Sequence, residues 1–343
     1  MIRRSIHIDA AKAVASQLIV LHHFSVYGPM ADALDLAAPL TTDWLYEYAR
    51  MSVQIFLVIG GYFAASALAP HGNWQRGSPW RSLGQRWMRL VPPFVAALIL
   101  TVAASAIARA LLQAEFIPLA PSAGQFLAHV LLVFGVLGVE PLSAGIWYVA
   151  IDFQLFAMMA LLLWGAGRRA HWVVFLFTLA SLFAFNRYEQ GDNWAPYFFG
   201  AYGMGAMAWW SGQSLKPNRL LWLLGIVGLA ALLWDFRLRI ALALAMALYL
   251  GLKGRSVPAV ESRIALHPFA TGLISGLARS SYALFLTHFS VLMLCNALWA
   301  QMKWTFSGSA ALGLLVAWAM CVGLALFFER WIERPLASIR LQR

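Results

Sequence analysis

Apolar runs close to twenty residues long recur from one end of the chain to the other, and nothing else limits its possible folds so strongly. A helix of roughly 20 residues crosses the ~30 Å hydrocarbon core of a bilayer, whereas a water-soluble core has no use for such runs. Ten spans are expected, near residues 8–29, 50–69, 90–112, 146–166, 171–186, 195–212, 220–235, 238–252, 279–300 and 309–328. Hydrophobic residues make up 62% of the 343 and charged residues 11%, against roughly 25% charged in soluble domains. A barrel would show shorter segments that alternate in polarity. The expected fold is therefore all-α: a polytopic transmembrane helix bundle, one domain over residues 1–343, with neither a soluble domain nor an internal repeat.

The net charge of +11 does not point to nucleic acid, because the basic residues sit singly or in pairs between apolar runs and form no patch. Membrane orientation accounts for them. A shorter apolar piece, residues 125–139, decides the topology: if it does not cross, nineteen of the 25 Lys and Arg residues fall on the N-terminal side. Of the acids, only Asp9, Glu261, Glu329 and Glu333 join them, which satisfies the positive-inside rule. Residues 125–139 are thus expected to form a short helix at the outer surface, with both termini cytoplasmic. The N-terminal run is interrupted by Asp9, Lys12, Gln17, His22 and His23, so it reads as a first spanning helix and not as a cleaved signal. Cys295 and Cys321 lie inside apolar runs and indicate neither a disulfide framework nor a metal site.

Ionisable side chains at bilayer depth are costly and are functional candidates by default. At 3.6 residues per turn, Asp9, Lys12, Ser16, His23 and Tyr27 fall within about 60° of one another on the first helix, while His22 points about 100° away. His23 stands roughly 16 Å along the helix from Lys12. The unperturbed pKa of an imidazole, near neutrality, suits proton transfer in acyl chemistry; the competing role is interhelical hydrogen bonding. Arg76, Arg81, Arg86 and Arg89 follow the second span with no acid between them. Arg86 and Arg89, three apart, offer planar donor forks suited to phosphate, or simply anchor the helix at anionic lipid. Asp152, below Trp147 in the fourth span, needs a partner and is suited to orienting an imidazole. His288, with Ser281 two turns earlier on the same face, is divided between hydrogen-bonding glue and substrate contact.

Read in order, these residues resemble the acyltransferase 3 family of bacterial integral membrane acyltransferases. The resemblance is carried by Asp9, Lys12 and, eleven positions on, His23; by Ser52 to Tyr62; by Arg86-Trp87-Met88-Arg89 before Pro92; by Trp147 to Asp152 with Gln154 and Phe156; by Ser281 to His288; and by Glu333-Arg334-Pro335. Lys12 replaces a usual Arg, Gly60 a usual Ser and Asp152 a usual Glu. The resemblance implies O-acylation, commonly acetylation, of a cell-envelope carbohydrate or glycolipid at the inner membrane. Acyl-CoA from the cytoplasm would be the donor, with no tightly bound cofactor. His23 would act as general base or transient acyl carrier, Arg86 and Arg89 on CoA phosphates, Asp9 and Lys12 in the lower cavity, and Asp152 and His288 toward the acceptor. The rival class is a transporter or lipid-linked sugar flippase using the same polar stripe.

Overall fold

The structure, a computed structural model, describes residues 5–213, 217–253, 267–304 and 308–337. Among these no strand occurs, and each of the ten expected spans coincides with a helix. The elements are α1 (Ile6–Phe24), α2 (Pro29–Ala37), α3 (Pro39–Glu47), α4 (Val53–Leu68), α5 (Pro79–Leu111), α6 (Ala123–Val130), α7 (Trp147–Ala166), α8 (Ala170–Phe183), α9 (Ala195–Gln213), α10 (Pro217–Trp234), α11 (Leu238–Lys253), α12 (Pro268–Met302), α13 (Ser309–Phe328) and α14 (Arg334–Ala337). Among the described residues five stretches are long and apolar enough to cross a membrane: Pro39–Leu68, Pro79–Leu111, Trp147–Arg187, Pro268–Met302 and Ser309–Leu336. Both termini, together with Arg3, Arg4, Lys216, Arg255, Glu261, Arg263, Arg340 and Arg343 of the expected inner face, lie outside the described residues.

Local chemistry explains where the helices begin and end. Proline is pre-organised for the first helical turn, where its missing N–H costs nothing, and it opens α2, α3, α5 and α12. Gly167, at φ +52°, ends α7 in a left-handed residue, so the apolar stretch from Trp147 is two helices. The segment expected at the outer surface is helical only over the eight residues of α6, about 12 Å and too short to span. Pro92 and Pro93 remove two amide donors inside α5; two residues before Pro92, the Tyr282 hydroxyl of α12 donates to the carbonyl of Leu90 at 2.9 Å.

The chain forms two compact units, each assembled from separate segments: residues 1–52, 88–148 and 269–343 in the first, and 53–87 and 149–268 in the second. In the first unit, polar bonds fix α1 and the start of α2. The Trp318 indole of α13 donates to Gln17 at 2.9 Å, Ser52 donates to the carbonyl of Ala15 at 3.2 Å, and Asn296 of α12 accepts from the Met30 amide at 2.9 Å. In the second unit α9 is central: fifteen of its nineteen residues are buried, as expected of a helix surrounded by protein. Small residues let it approach its neighbours, the usual device where lipid removes the hydrophobic drive between helices. A Cβ at Gly205 would strike the Val58 carbonyl of α4, and one at Gly61 the Tyr202 carbonyl of α9.

Gly205→Ala is therefore expected to destabilise the protein by about 1–3 kcal/mol through overpacking. Gly225→Ala in α10, where nothing lies within 4 Å, should be neutral or stabilising by up to about 1 kcal/mol, the helix-propensity gain. Thermal unfolding midpoints of the two purified variants would check the opposite signs; a Gly205→Ala midpoint at or above the parent's would show that α4 and α9 do not touch there.

Candidate active site

The first unit buries two histidines against each other. His23, 6% exposed on α1, and His288, fully buried on α12, place Nδ1 of the first 2.8 Å from Nε2 of the second, with ring planes within 10° of parallel. A neutral imidazole has one N–H and one lone pair, so the partners assign the protons. Nδ1 of His288 lies 2.8 Å from the carbonyl of Leu284, which only accepts. His288 therefore carries its hydrogen on Nδ1 and a lone pair on Nε2. His23 must donate from Nδ1, which leaves its own lone pair on Nε2. The arrangement is a directional relay that ends in one basic nitrogen, with the other ring fixing tautomer and orientation.

What surrounds this pair belongs to the same unit. The Tyr27 ring stands 5.8 Å from His23 and meets Phe289 edge-on at 5.2 Å. Cys321 of α13 donates to the His288 carbonyl at 3.5 Å. Gly145, just before α7, is required by close approach: a Cβ there would lie 2.7 Å from Cε1 of His288 and 2.9 Å from the Phe285 carbonyl. His22, off the stripe, is held structurally, its Nδ1 3.2 Å from the carbonyl of Leu45.

Toward the start of α1 the same face becomes ionic. Asp9 accepts from Ser275 of α12 at 3.5 Å. Lys12 and Arg89 both lie within electrostatic reach of Glu333. Glu333 ends a π-helical turn, Glu329–Glu333, of a kind frequent at functional sites. At its other end the buried Glu329 accepts from Arg334 at 2.6 Å, with Arg279 at 3.9 Å.

The second unit holds a separate charged pair. Arg86 of α5 binds the buried Asp152 of α7 and lies 5.2 Å over the Phe156 ring. Tyr202 of α9 packs beside them, fully buried; a Cβ at Gly60 would sit 3.0 Å from its ring and 3.5 Å from Asp152 Oδ1. The carboxylate expected to orient an imidazole thus holds an arginine, while the histidine in the first unit is oriented by a second histidine. The geometry joins His23 to His288, Lys12 and Arg89 to Glu333, and Arg86 to Asp152. The sequence marks Glu333 as an inner-face acid and as part of a motif, not as a site residue, and it gives no signal for Tyr202, which sits among glycines and alanines with no polar pattern to mark it.

A family model described as an acyltransferase domain, that of acyltransferase 3, matches residues 6–328. The chain belongs to that family. It is a membrane acyltransferase, as the resemblance in its motifs implied. No curated protein and no solved structure matches it.

In this acyltransferase Gly145→Ala would push the His288 ring away from His23. A misplacement of about 1 Å at a reacting group costs on the order of 10²-fold in rate, and a loss of that size is expected with folding intact. Acyl-transfer rates and unfolding midpoints measured on the same preparation would check it, and an unchanged rate would show that His288 need not sit where it does.

Proposed function

We propose that this chain is an inner-membrane O-acyltransferase that moves an acyl group, commonly acetyl, from cytoplasmic acyl-CoA to a hydroxyl of a cell-envelope carbohydrate or glycolipid. The reading is carried by one observation: a buried imidazole whose partner leaves its lone pair on Nε2. As the acceptor oxygen attacks the thioester carbonyl, His23 Nε2 takes the hydroxyl proton. The tetrahedral intermediate then breaks its C–S bond, and the thiolate of CoA recovers the proton from the His23 imidazolium. Ester and free thiol result, and the histidine returns to its starting state. Throughout, Nδ1–H of His23 stays bonded to His288, which steadies the developing cation without itself carrying charge.

The donor's phosphates are assigned to Arg86 and Arg89, three residues apart on one helix and suited to phosphate oxygens by their forked donors. The Arg86 side chain keeps a quarter of its surface exposed although paired with Asp152. Lys12, opposite Glu333 at the start of the stripe, supplies a further cation on the same unit as His23.

The test is release of free CoA thiol and appearance of ester by purified protein in lipid nanodiscs supplied with acetyl-CoA and a glycoside. His23→Ala should reduce transfer by about 10²–10⁴-fold, the usual contribution of a general base. His288→Ala should fall almost as far, and His288→Gln, whose side-chain carbonyl accepts the His23 bond, should recover part of the loss. Persistent turnover in His23→Ala would remove the mechanism, and transport of a sugar without thioester consumption would favour the transporter class.

A further inference from the structure

Beyond Tyr27 and Phe289, on the side away from Lys12, the first unit opens into a cavity of about 750 Å³, within the usual range for small-molecule sites. Its walls come from the chain after α5 and the chain between α6 and α7. Glu115, Ser122, Gln125, Glu140 and Ser143 line it, and among the described residues no Lys, Arg or His does. The nearby Arg109 is used otherwise, donating to the carbonyl of Pro118.

The wall is built. Ser122 caps α6 through the Gln125 amide at 3.1 Å, and the Gln125 side chain donates to the Glu140 carbonyl at 3.0 Å. His129 lies with Nδ1 2.8 Å from the Gln125 carbonyl, which fixes the hydrogen there, and its Nε2 accepts from the Leu142 amide at 3.2 Å. Burial lowers the His129 pKa and favours the neutral ring that this bond needs. Against this wall one group stands out. Ser143 lines the cavity with only 2% of the residue exposed, and its buried hydroxyl has no hydrogen-bond partner among the described residues. Buried polar groups are nearly always satisfied, and an orphan needs an explanation.

We propose that this cavity receives the acceptor and selects polyhydroxylated molecules lacking anionic charge: Ser143 bonds an acceptor hydroxyl, the Tyr27–Phe289 pair offers an apolar floor, and Glu115 and Glu140 exclude carboxylate- or phosphate-bearing sugars. The proposal rests on the function given above and narrows its acceptor class. A carboxylate accepts hydrogen bonds from sugar hydroxyls or from an ammonium group, whereas a second anion beside it meets uncompensated repulsion. The placement fits delivery to the relay, since Tyr27 adjoins both the cavity and the His23 ring.

Binding decides the matter independently of catalysis. Calorimetric titration of the full chain in nanodiscs would compare cellobiose, its diamino analogue deacetylated chitobiose, and cellobiouronic acid. The neutral and amino sugars should bind, and the uronate should bind about tenfold more weakly or worse. Glu115→Gln combined with Glu140→Gln should admit the uronate, while Ser143→Ala should weaken cellobiose by about tenfold, the loss of one buried hydrogen bond. Equal affinity of the parent protein for the uronate, exclusion that persists in the double variant, or no sugar binding at all would overturn the proposal. Acetyl-CoA consumption by the parent protein reports separately on the catalytic reading. Selective binding without consumption would leave the cavity assignment standing and sink the chemistry, and transfer that ignores acceptor charge would do the reverse.

Discussion

Two imidazoles shut away from water must satisfy each other, and the order in which they do so governs the candidate site around them. The direction of the relay is set by a backbone carbonyl, that of Leu284, one turn before His288 on the same helix. A main-chain acceptor cannot reverse its role, so the proton positions are fixed by α12 and not by a mobile side chain. A carboxylate in place of His288 would make His23 more basic, but it would place a formal charge where desolvation is most expensive. A neutral imidazole supplies the same acceptor at far lower cost. The geometry around the pair follows from that economy of charge: Gly145 leaves room for the ring, and Cys321 reaches the carbonyl behind it.

Several charges elsewhere in the described structure are handled by pairing. Glu329 lies between Arg334 and Arg279, Arg86 is joined to Asp152, and Asp235, at the turn after α10, holds both Arg187 and Arg237. The guanidinium of Arg237, aided by Arg187, holds the Asp235 carboxyl below its usual range. Exposed pairs of this kind contribute little to stability. Their value lies in tying chain segments together: Arg187 also donates to the Ala231 carbonyl at 3.0 Å, and Arg237 to that of Asn186 at 2.9 Å.

Helix existence was legible in the sequence because hydrocarbon thickness imposes a length on apolar runs, and all ten runs are helical. Their limits were less so. The span expected to begin near residue 90 starts as a helix at Pro79, three turns earlier, because a helix does not stop where its side chains become polar. Residues 268–278 extend α12 for the same reason. The helices α2 and α3 carry no long apolar run, and only their leading prolines mark them. The face of α1 that bears His23 could be read from helical periodicity alone. Its partner could not, since His23 and His288 are 265 positions apart and no local pattern encodes a contact between distant helices. Arg86 and Asp152 were each singled out, but with other partners, because a charge pattern shows that a group needs compensation without showing which group supplies it.

Two of the three departures from the family's usual motif residues lie side by side. Asp152 is one methylene shorter than the usual Glu, and Gly60 lacks the hydroxymethyl of the usual Ser; a Cβ at position 60 would be 3.5 Å from the Asp152 carboxylate and 3.0 Å from the Tyr202 ring. A serine at 60 would press on that ring with more than its Cβ, so the bare backbone at Gly60 and the large buried side chain of Tyr202 belong together. Asp152 still reaches Arg86, which also lies over Phe156, so the guanidinium is held by an anion and by an aromatic face at once. The second unit thus holds Arg86 and Asp152 as a charged pair while filling the space around it with an aromatic ring, and the two departures read as one repacking of a single locus.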